Sequence, residues 1–496
     1  MLLSLLGPAP DPARASSPAR EALEAIDGFV AEAVYAANIP GASLAVVADG
    51  RIVLSRGYGR AGLGEDDAPM TPTSLVGIGS VGKTLTATAI LQLRDAGRLE
   101  LDDPVQEHVP EFRLADADAA RRMTVRQLLT MTNGLGPASQ LVLHEGDAFD
   151  LPPRELILRL RRAALDDPPG HAWTYSNLGY VLLGEIVARA SGEPYQDYVR
   201  RHILAPLGMA RTTFDGHAAA QSGLRLHRAS FGRLVEVPVN DMPPSYAAAG
   251  LAFSTAEDMA RYALAQLQRE GSRVLSASSL EEAHRGVVPV SFRPDTQFGL
   301  GWMSTMQGGH RLVFYEGGGS GMSAGLYLLP DLGLGVAILF NAASYPATWT
   351  IGQGVVSRLL GHAPAPVGGQ VLRSLELACL GLTLVSWLAL ALAFRTAVRQ
   401  EGRHALKPRR LVRWATIGGA SLVLAAATTL LVVPPPSGSI LAELTALPFR
   451  SSWSGWLPET KVALVSLALA AAAWLLVLAG GRNRGKPGRD LGHSPD

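Results

Sequence analysis

Residues 77–84 read Gly-Ile-Gly-Ser-Val-Gly-Lys-Thr and admit two chemistries. As Gly-x-x-x-x-Gly-Lys-Thr the segment could cradle phosphates, with Lys83 on the β/γ-phosphates and Thr84 on Mg²⁺. As Ser80-x-x-Lys83 it pairs a nucleophilic hydroxyl with an amine. A spacing of three at the start of a helix puts both groups on one face, within hydrogen-bonding reach. The same helix end offers free N–H groups and a positive dipole end to an oxyanion. A glycine-rich helix start with a solvated lysine is the third reading. A serine hydroxyl is a weak nucleophile until a base takes its proton. A solvated lysine, with a pKa of about 10.4, cannot be that base near neutrality. It must be desolvated or share its proton with a neighbour, and a phenol is suited to that.

The surrounding elements favour the hydroxyl–amine pair. A phosphate loop follows a buried strand, whereas Met70-Thr71-Pro72-Thr73-Ser74 is turn-like. It also needs an Asp closing a second apolar strand. The best match, Leu44–Asp49, precedes the loop and ends in a turn. Ser43–Ala48 and Arg51–Arg56 alternate and meet at Asp49-Gly50, which predicts a hairpin. Val81 to Ala96 is apolar at positions 81, 85, 89 and 93, with Gly97 beyond, which predicts a helix with a glycine stop. A further helix is expected over Tyr180–Ala190. RLVFYEGGG, GLYLLPDLG and GVAILFNA read as three successive strands, with a turn at Pro330–Gly333, and Ala347–Leu360 as a closing helix. Strands at both ends with helices between predict an α+β domain: one antiparallel sheet drawn from both termini, with a helical inset. No internal repeat is present.

Composition adds a second environment. Charged residues make up only 18% and the mean hydropathy is +0.17, which excludes a disordered or coiled-coil chain and assigns part of it to lipid. Residues 1–372 carry a net −7 and residues 373–496 a net +8, so nucleic acid is a poor partner for the large part. Leu377–Phe394, Trp414–Val433 and Val462–Gly481 are uncharged and each long enough to span a bilayer as a helix. Seven basic residues between Arg395 and Arg413, and the basic RNRGKPGRD after the last run, place those segments in the cytoplasm. With three spans, everything before Leu377 then faces outward. MLLSLLGPAP is too short for a signal peptide and has no basic start. Either residues 1–17 are the remnant of a signal ending near Ala13-Arg14-Ala15, or the domain is cytoplasmic. The expected organisation is a catalytic domain over 18–362, a linker over 363–376, a three-helix membrane anchor over 377–481 and a basic cytoplasmic tail over 482–496. Cys379 is the one cysteine, so no intrachain disulfide forms. The eleven histidines show no ligand spacing, and neither a metal nor an organic cofactor is expected.

Several segments in order carry a resemblance: Pro40–Ser43, Ser80–Lys83, Leu99–Val105, Val125–Leu135, Pro169–Leu183, Pro206–Thr212, Ala249–Asp258 and the glycines at 317–321. Over roughly residues 38–345 the chain resembles the β-lactamase-related serine hydrolases, the superfamily of class C β-lactamases, DD-peptidases and related esterases. The resemblance implies Ser80 as nucleophile and Lys83 as its activating partner. Tyr175, in Tyr175-Ser176-Asn177, would move a proton between serine, leaving group and water, and Asn177 would orient the substrate and Lys83. The alternative for that pair is packing, with an aromatic at a helix start and Asn177 as its N-cap. The family's third motif begins with Lys or His. Here the ungapped match is Tyr315-Glu316-Gly317, so that cation is absent, and placing Glu316 first needs a one-residue gap. Tyr315 would then be a substrate-site residue or simply a strand residue. The Gly318 N–H would be the second oxyanion donor beside that of Ser80. The implied activity is an acyl-enzyme hydrolysis of an ester, amide or peptide, favouring substrates without a free carboxylate. A membrane-bound penicillin-binding or sensor protein with slow turnover is the alternative, and a nucleotide-binding protein the remote one.

Overall fold

A computed structural model describes residues 20–136, 139, 151–230, 233–237, 239, 244–268, 272–319, 321–367 and 381. The chain divides into two compact units, one of residues 1–229, 234–369 and 437–452, the other of 230–233, 370–436 and 453–496. The first holds the elements that build the site. Residues 1–17, read above as a possible signal remnant, and, Gly381 apart, the three apolar runs lie outside the described residues. Among the described residues no helix is long and apolar enough to cross a membrane.

The strands are β1 (Gly41–Ala48), β2 (Arg51–Gly59), β3 (Val76–Gly77), β4 (Leu226–Ser230), β5 (Arg233–Val237), β6 (Phe253–Ser254) and β7 (Val288–Val290). They continue with β8 (Arg293–Phe298), β9 (Met303–Gln307), β10 (His310–Gly319), β11 (Met322–Leu329), β12 (Leu334–Phe340) and β13 (Ala342–Ala343). Eight of them form one antiparallel sheet in the order β2–β1–β12–β11–β10–β9–β8–β7, the expected sheet from both ends of the domain. Asp49 and Gly50 take φ of 49° and 70°, the left-handed pair that a two-residue hairpin turn requires.

β1, β11 and β12 are buried along their whole length, so both faces of the sheet centre must be covered. Tyr327 of β11 meets Gly352 of the closing helix Tyr345–Leu359. Gly335, opposite Leu328 and so on the other face, meets Ala263 and Leu267 of the helix Ala256–Leu267. Alternation along β11 thus puts one helix on each face. Helix α1 is Arg20–Ala36, and the helix predicted from Val81 is α2, Gly82–Asp95; its start is a 3₁₀ turn over Gly79–Val81, and Gly97 follows it at φ 67°. The Tyr180–Ala190 prediction corresponds to Asn177–Ser191.

Candidate active site

Ser80 sits in the 3₁₀ turn that leads into α2, a helix start with no side-chain cap. Strand β3 pairs with β6, and the Ile78 N–H donates to the Ala252 carbonyl at 2.9 Å, which ties the 249–254 segment beside the nucleophile. β10 comes equally close. A Cβ on Gly79, whose φ is 50°, would lie 2.5 Å from Gly318 N, and one on Gly317 would lie 2.7 Å from Ser80 N. Only glycine lets two backbones meet this closely. The Ser80 and Gly318 amides are thereby brought to one spot at a helix start, where a developing oxyanion is favoured.

Lys83, one turn on, is fully buried. Ser80 Oγ and the Tyr175 hydroxyl are 2.5 Å apart, and Lys83 Nζ lies 3.2 Å from the first and 2.8 Å from the second. Nζ also donates to Asn177 Oδ1 at 2.7 Å and to the Ala249 carbonyl. Beyond its bond to Cε, an amine nitrogen has three tetrahedral positions. Asn177 Oδ1 and the Ala249 carbonyl oxygen can only accept, so they take two N–H groups. The third position faces Ser80 and Tyr175, and in the neutral amine it is a lone pair. Among the described residues no carboxylate bonds to the amine, and burial holds its pKa well below the usual 10.5. The rings of Tyr175 and Tyr180, with centroids 4.9 and 5.5 Å from Nζ, help to keep water away. The arrangement is a desolvated base that reaches a serine both directly and through a phenol.

Asn177 does not cap its helix. Ser176 does, accepting from the Gly179 N–H at 2.9 Å, which leaves the Asn177 amide for Lys83. The phosphate-loop geometry is missing as well: Lys83 is buried among these partners, and the Thr84 hydroxyl donates to the Val81 carbonyl at 2.8 Å. His171 stands at the surface 3.5 Å from Asp167, away from the proton-transfer cluster.

Strand alternation sorts the residues at the third motif onto two faces. Tyr315 and Gly317 share the face toward Ser80, and the Glu316 side chain is on the other, held by Arg293 at 2.5 Å, Tyr327 at 2.8 Å and Gln353 at 3.1 Å. Of the two placements, the ungapped one puts its first residue, Tyr315, on the face toward Ser80. Tyr315, however, is 1% exposed, and its hydroxyl has no hydrogen-bond partner among the described residues. Burial pushes its pKa far up, so it stays a neutral phenol packed edge-on to Phe298 at 6.1 Å. It packs into the aromatic wall beside Ser80. Tyr315→Phe should leave kcat/KM within about twofold and Tm unchanged or slightly raised, since removing an unpaired buried hydroxyl costs almost nothing. A tenfold loss of kcat/KM with the fold intact would make that hydroxyl a substrate contact.

Three parts of the site have no signature of their own in the sequence. The Ala249 carbonyl is backbone and carries no residue code. Gly250, at φ 149°, would put a Cβ 2.8 Å from the Gly79 carbonyl. Trp173 is buried against Phe292 and Phe298, 6.3 Å ring to ring from Tyr175. The first two lie in the Ala249–Asp258 match and Trp173 in Pro169–Leu183, but a match places a segment without saying which atoms it presents.

A serine hydroxyl beside a buried amine and a phenol, close to two backbone amides, is chemically suited to acyl transfer. The Beta-lactamase family model matches residues 26–351, and the chain belongs to that family. It is similar to penicillin-binding protein 4 of Amycolatopsis lactamdurans, with 32% identity over 320 residues, 61% of this chain and 81% of that protein. Protein flp of Staphylococcus aureus (strain MW2) is 25% identical over 475 residues, 91% of this chain and 89% of that one. Among solved structures, a D-stereospecific amidohydrolase from Streptomyces sp. superposes with a TM-score of 0.56 at 29% identity, covering 68% of this chain and 97% of that one.

Proposed function

We propose that the protein is a membrane-anchored serine hydrolase that cleaves an ester, amide or peptide through an acyl-enzyme. The observation that carries the reading is the buried Lys83 amine within reach of both the Ser80 and Tyr175 hydroxyls. In the reaction, the neutral amine takes the Ser80 proton, directly or through Tyr175, as Ser80 Oγ bonds to the substrate carbonyl carbon. The resulting oxyanion is held by the Ser80 and Gly318 N–H groups. Tyr175 returns the proton to the leaving group as the carbonyl re-forms, giving the acyl-enzyme. A water then gives its proton to the same base and attacks the ester, and Ser80 regains its hydrogen as the acid leaves. No metal or organic cofactor enters these steps. The three apolar runs, with their basic flanks, support a bilayer anchor with the catalytic domain outside the cell.

The similarity to a penicillin-binding protein favours one second reading, a membrane-bound binding or sensor protein that deacylates slowly. Deacylation separates the two. For the hydrolase, the full-length chain in detergent turns over a neutral para-nitrophenyl ester many times, with no burst that stalls after one equivalent. A stoichiometric burst followed by a stable adduct, with the ester and with benzylpenicillin alike, would favour the binding protein.

A further inference from the structure

Lys83 and Thr86 stand three residues apart on α2, so their side chains leave the same face of the helix. They take two consecutive carbonyls at the end of the 3₁₀ turn Pro244–Ala249. Lys83 Nζ donates to the Ala249 carbonyl, and the Thr86 hydroxyl donates to that of Ala248 at 2.7 Å. A helical threonine often returns its hydroxyl to its own helix, as Thr84 does to Val81. Thr86 reaches across instead. Its one hydroxyl hydrogen goes to Ala248, whose carbonyl can only accept, so the 2.7 Å contact with the Tyr195 hydroxyl is a bond donated by Tyr195. Burial pushes the Tyr195 pKa up, which keeps that proton in place. Thr86, Tyr195 and Ala248 are all buried. Gly184 of the helix Asn177–Ser191 packs against the same point, where a Cβ would lie 2.5 Å from that of Ala248.

We propose that Thr86, itself held by Tyr195, is a positioning residue: it anchors the end of the Pro244–Ala249 turn so that the Ala249 carbonyl takes one Lys83 N–H and the lone pair of the amine stays turned to Ser80 and Tyr175. The anchor is needed because the next residue is Gly250, at φ 149°. With glycine on its far side, the peptide that carries the Ala249 carbonyl is otherwise free to swing. Once that carbonyl turns away, Asn177 is the one fixed acceptor left to Nζ, and the amine rotates. Its lone pair then meets the two hydroxyls only part of the time. Thr86 acts through the backbone, since its acceptor is one residue short of the carbonyl that Lys83 uses. This inference rests on the Ser80 hydrolase reading and deepens it.

The test reads the second-order rate at which the full-length chain takes a fluorophosphonate, with kcat and KM for a neutral para-nitrophenyl ester alongside. Thr86→Val keeps the shape and removes the hydroxyl. It should slow labelling and lower kcat by about ten- to a hundredfold, the loss that a small misplacement of a reacting group brings, with KM little changed. Thr86→Ser restores the donor and should stay within about threefold of wild type. In a Lys83→Met background, Thr86→Val should slow labelling no further, because the group it positions is already gone. Tyr195→Phe removes the donor to Thr86, should lose about three- to tenfold, and serves if the valine variant does not fold. A wild-type rate in the variant used, a serine variant as slow as the valine one, or the same fold-loss in the Lys83→Met background overturns the proposal. Failure of the underlying reading looks different: wild type would then show no Ser80-dependent labelling or ester cleavage at all.

Discussion

Lys83→Met is expected to abolish turnover, lowering kcat/KM by about a thousandfold or more, because it removes the base that Ser80 and Tyr175 share. The stability of this variant carries a separate signature. Burial lowers the Lys83 pKa below its usual 10.5, so between the two values the unfolded chain binds a proton that the folded chain does not. Stability of the wild type therefore rises with pH across that window and is penalised below it. Methionine does not titrate, so the stability difference between the two proteins must move in favour of wild type as pH climbs toward 10.5. Wild-type acylation should have an acidic limb at the depressed Lys83 pKa and lose rate as the amine protonates. A variant within tenfold of wild type, or a stability difference that does not vary with pH, would mean that Lys83 is not a neutral buried amine. Denaturant melts at several pH values and a pH–rate profile read both.

Gly317→Ala is expected to cost about a hundred- to a thousandfold in kcat, the price of one oxyanion donor. The new methyl would lie 2.4 Å from the Ile78 carbonyl and 2.7 Å from both the Ser80 and Val81 nitrogens. Those are backbone atoms that cannot rotate aside, so β10 must withdraw from the nucleophile turn and take the Gly318 N–H with it. Overpacking should also cost about 1–3 kcal/mol of stability. The loss should fall on kcat more than on KM, since the displaced donor acts on charge that develops only in the transition state. Gly28→Ala, in the helix Arg20–Ala36 with nothing within 4 Å of the added methyl, is the matched control and should be neutral. Equal activity in the two variants would remove β10 from the oxyanion site.

Much of this was legible in the sequence, and for physical reasons. The Asp49-Gly50 hairpin, α2 with its glycine stop, and β10–β12 are written in periodicity and turn chemistry. β8 and β9 were not. Their residues, Arg-Pro-Asp-Thr-Gln-Phe and Met-Ser-Thr-Met-Gln, are short, polar and half exposed, so the period-two signal is weak. Ser80 and Lys83 could be paired by helical spacing, but Tyr175 needed the family resemblance, because no local rule joins residues 95 apart. The Ala249 carbonyl was invisible because backbone acceptors carry no residue code. Tyr315 could be singled out by its spacing from the glycines, but its burial depends on Phe298 and the aromatic wall, which belongs to the fold rather than to the motif.

The most direct test of the serine nucleophile is the intact mass of the full-length chain after reaction with a fluorophosphonate, with Ser80→Ala alongside. The expected result is one adduct per chain, mapped to the peptide carrying Ser80, which vanishes in the folded alanine variant and forms far more slowly in Lys83→Met. An adduct that survives Ser80→Ala, or a folded wild type that takes no label, would contradict the assignment of Ser80 as the nucleophile.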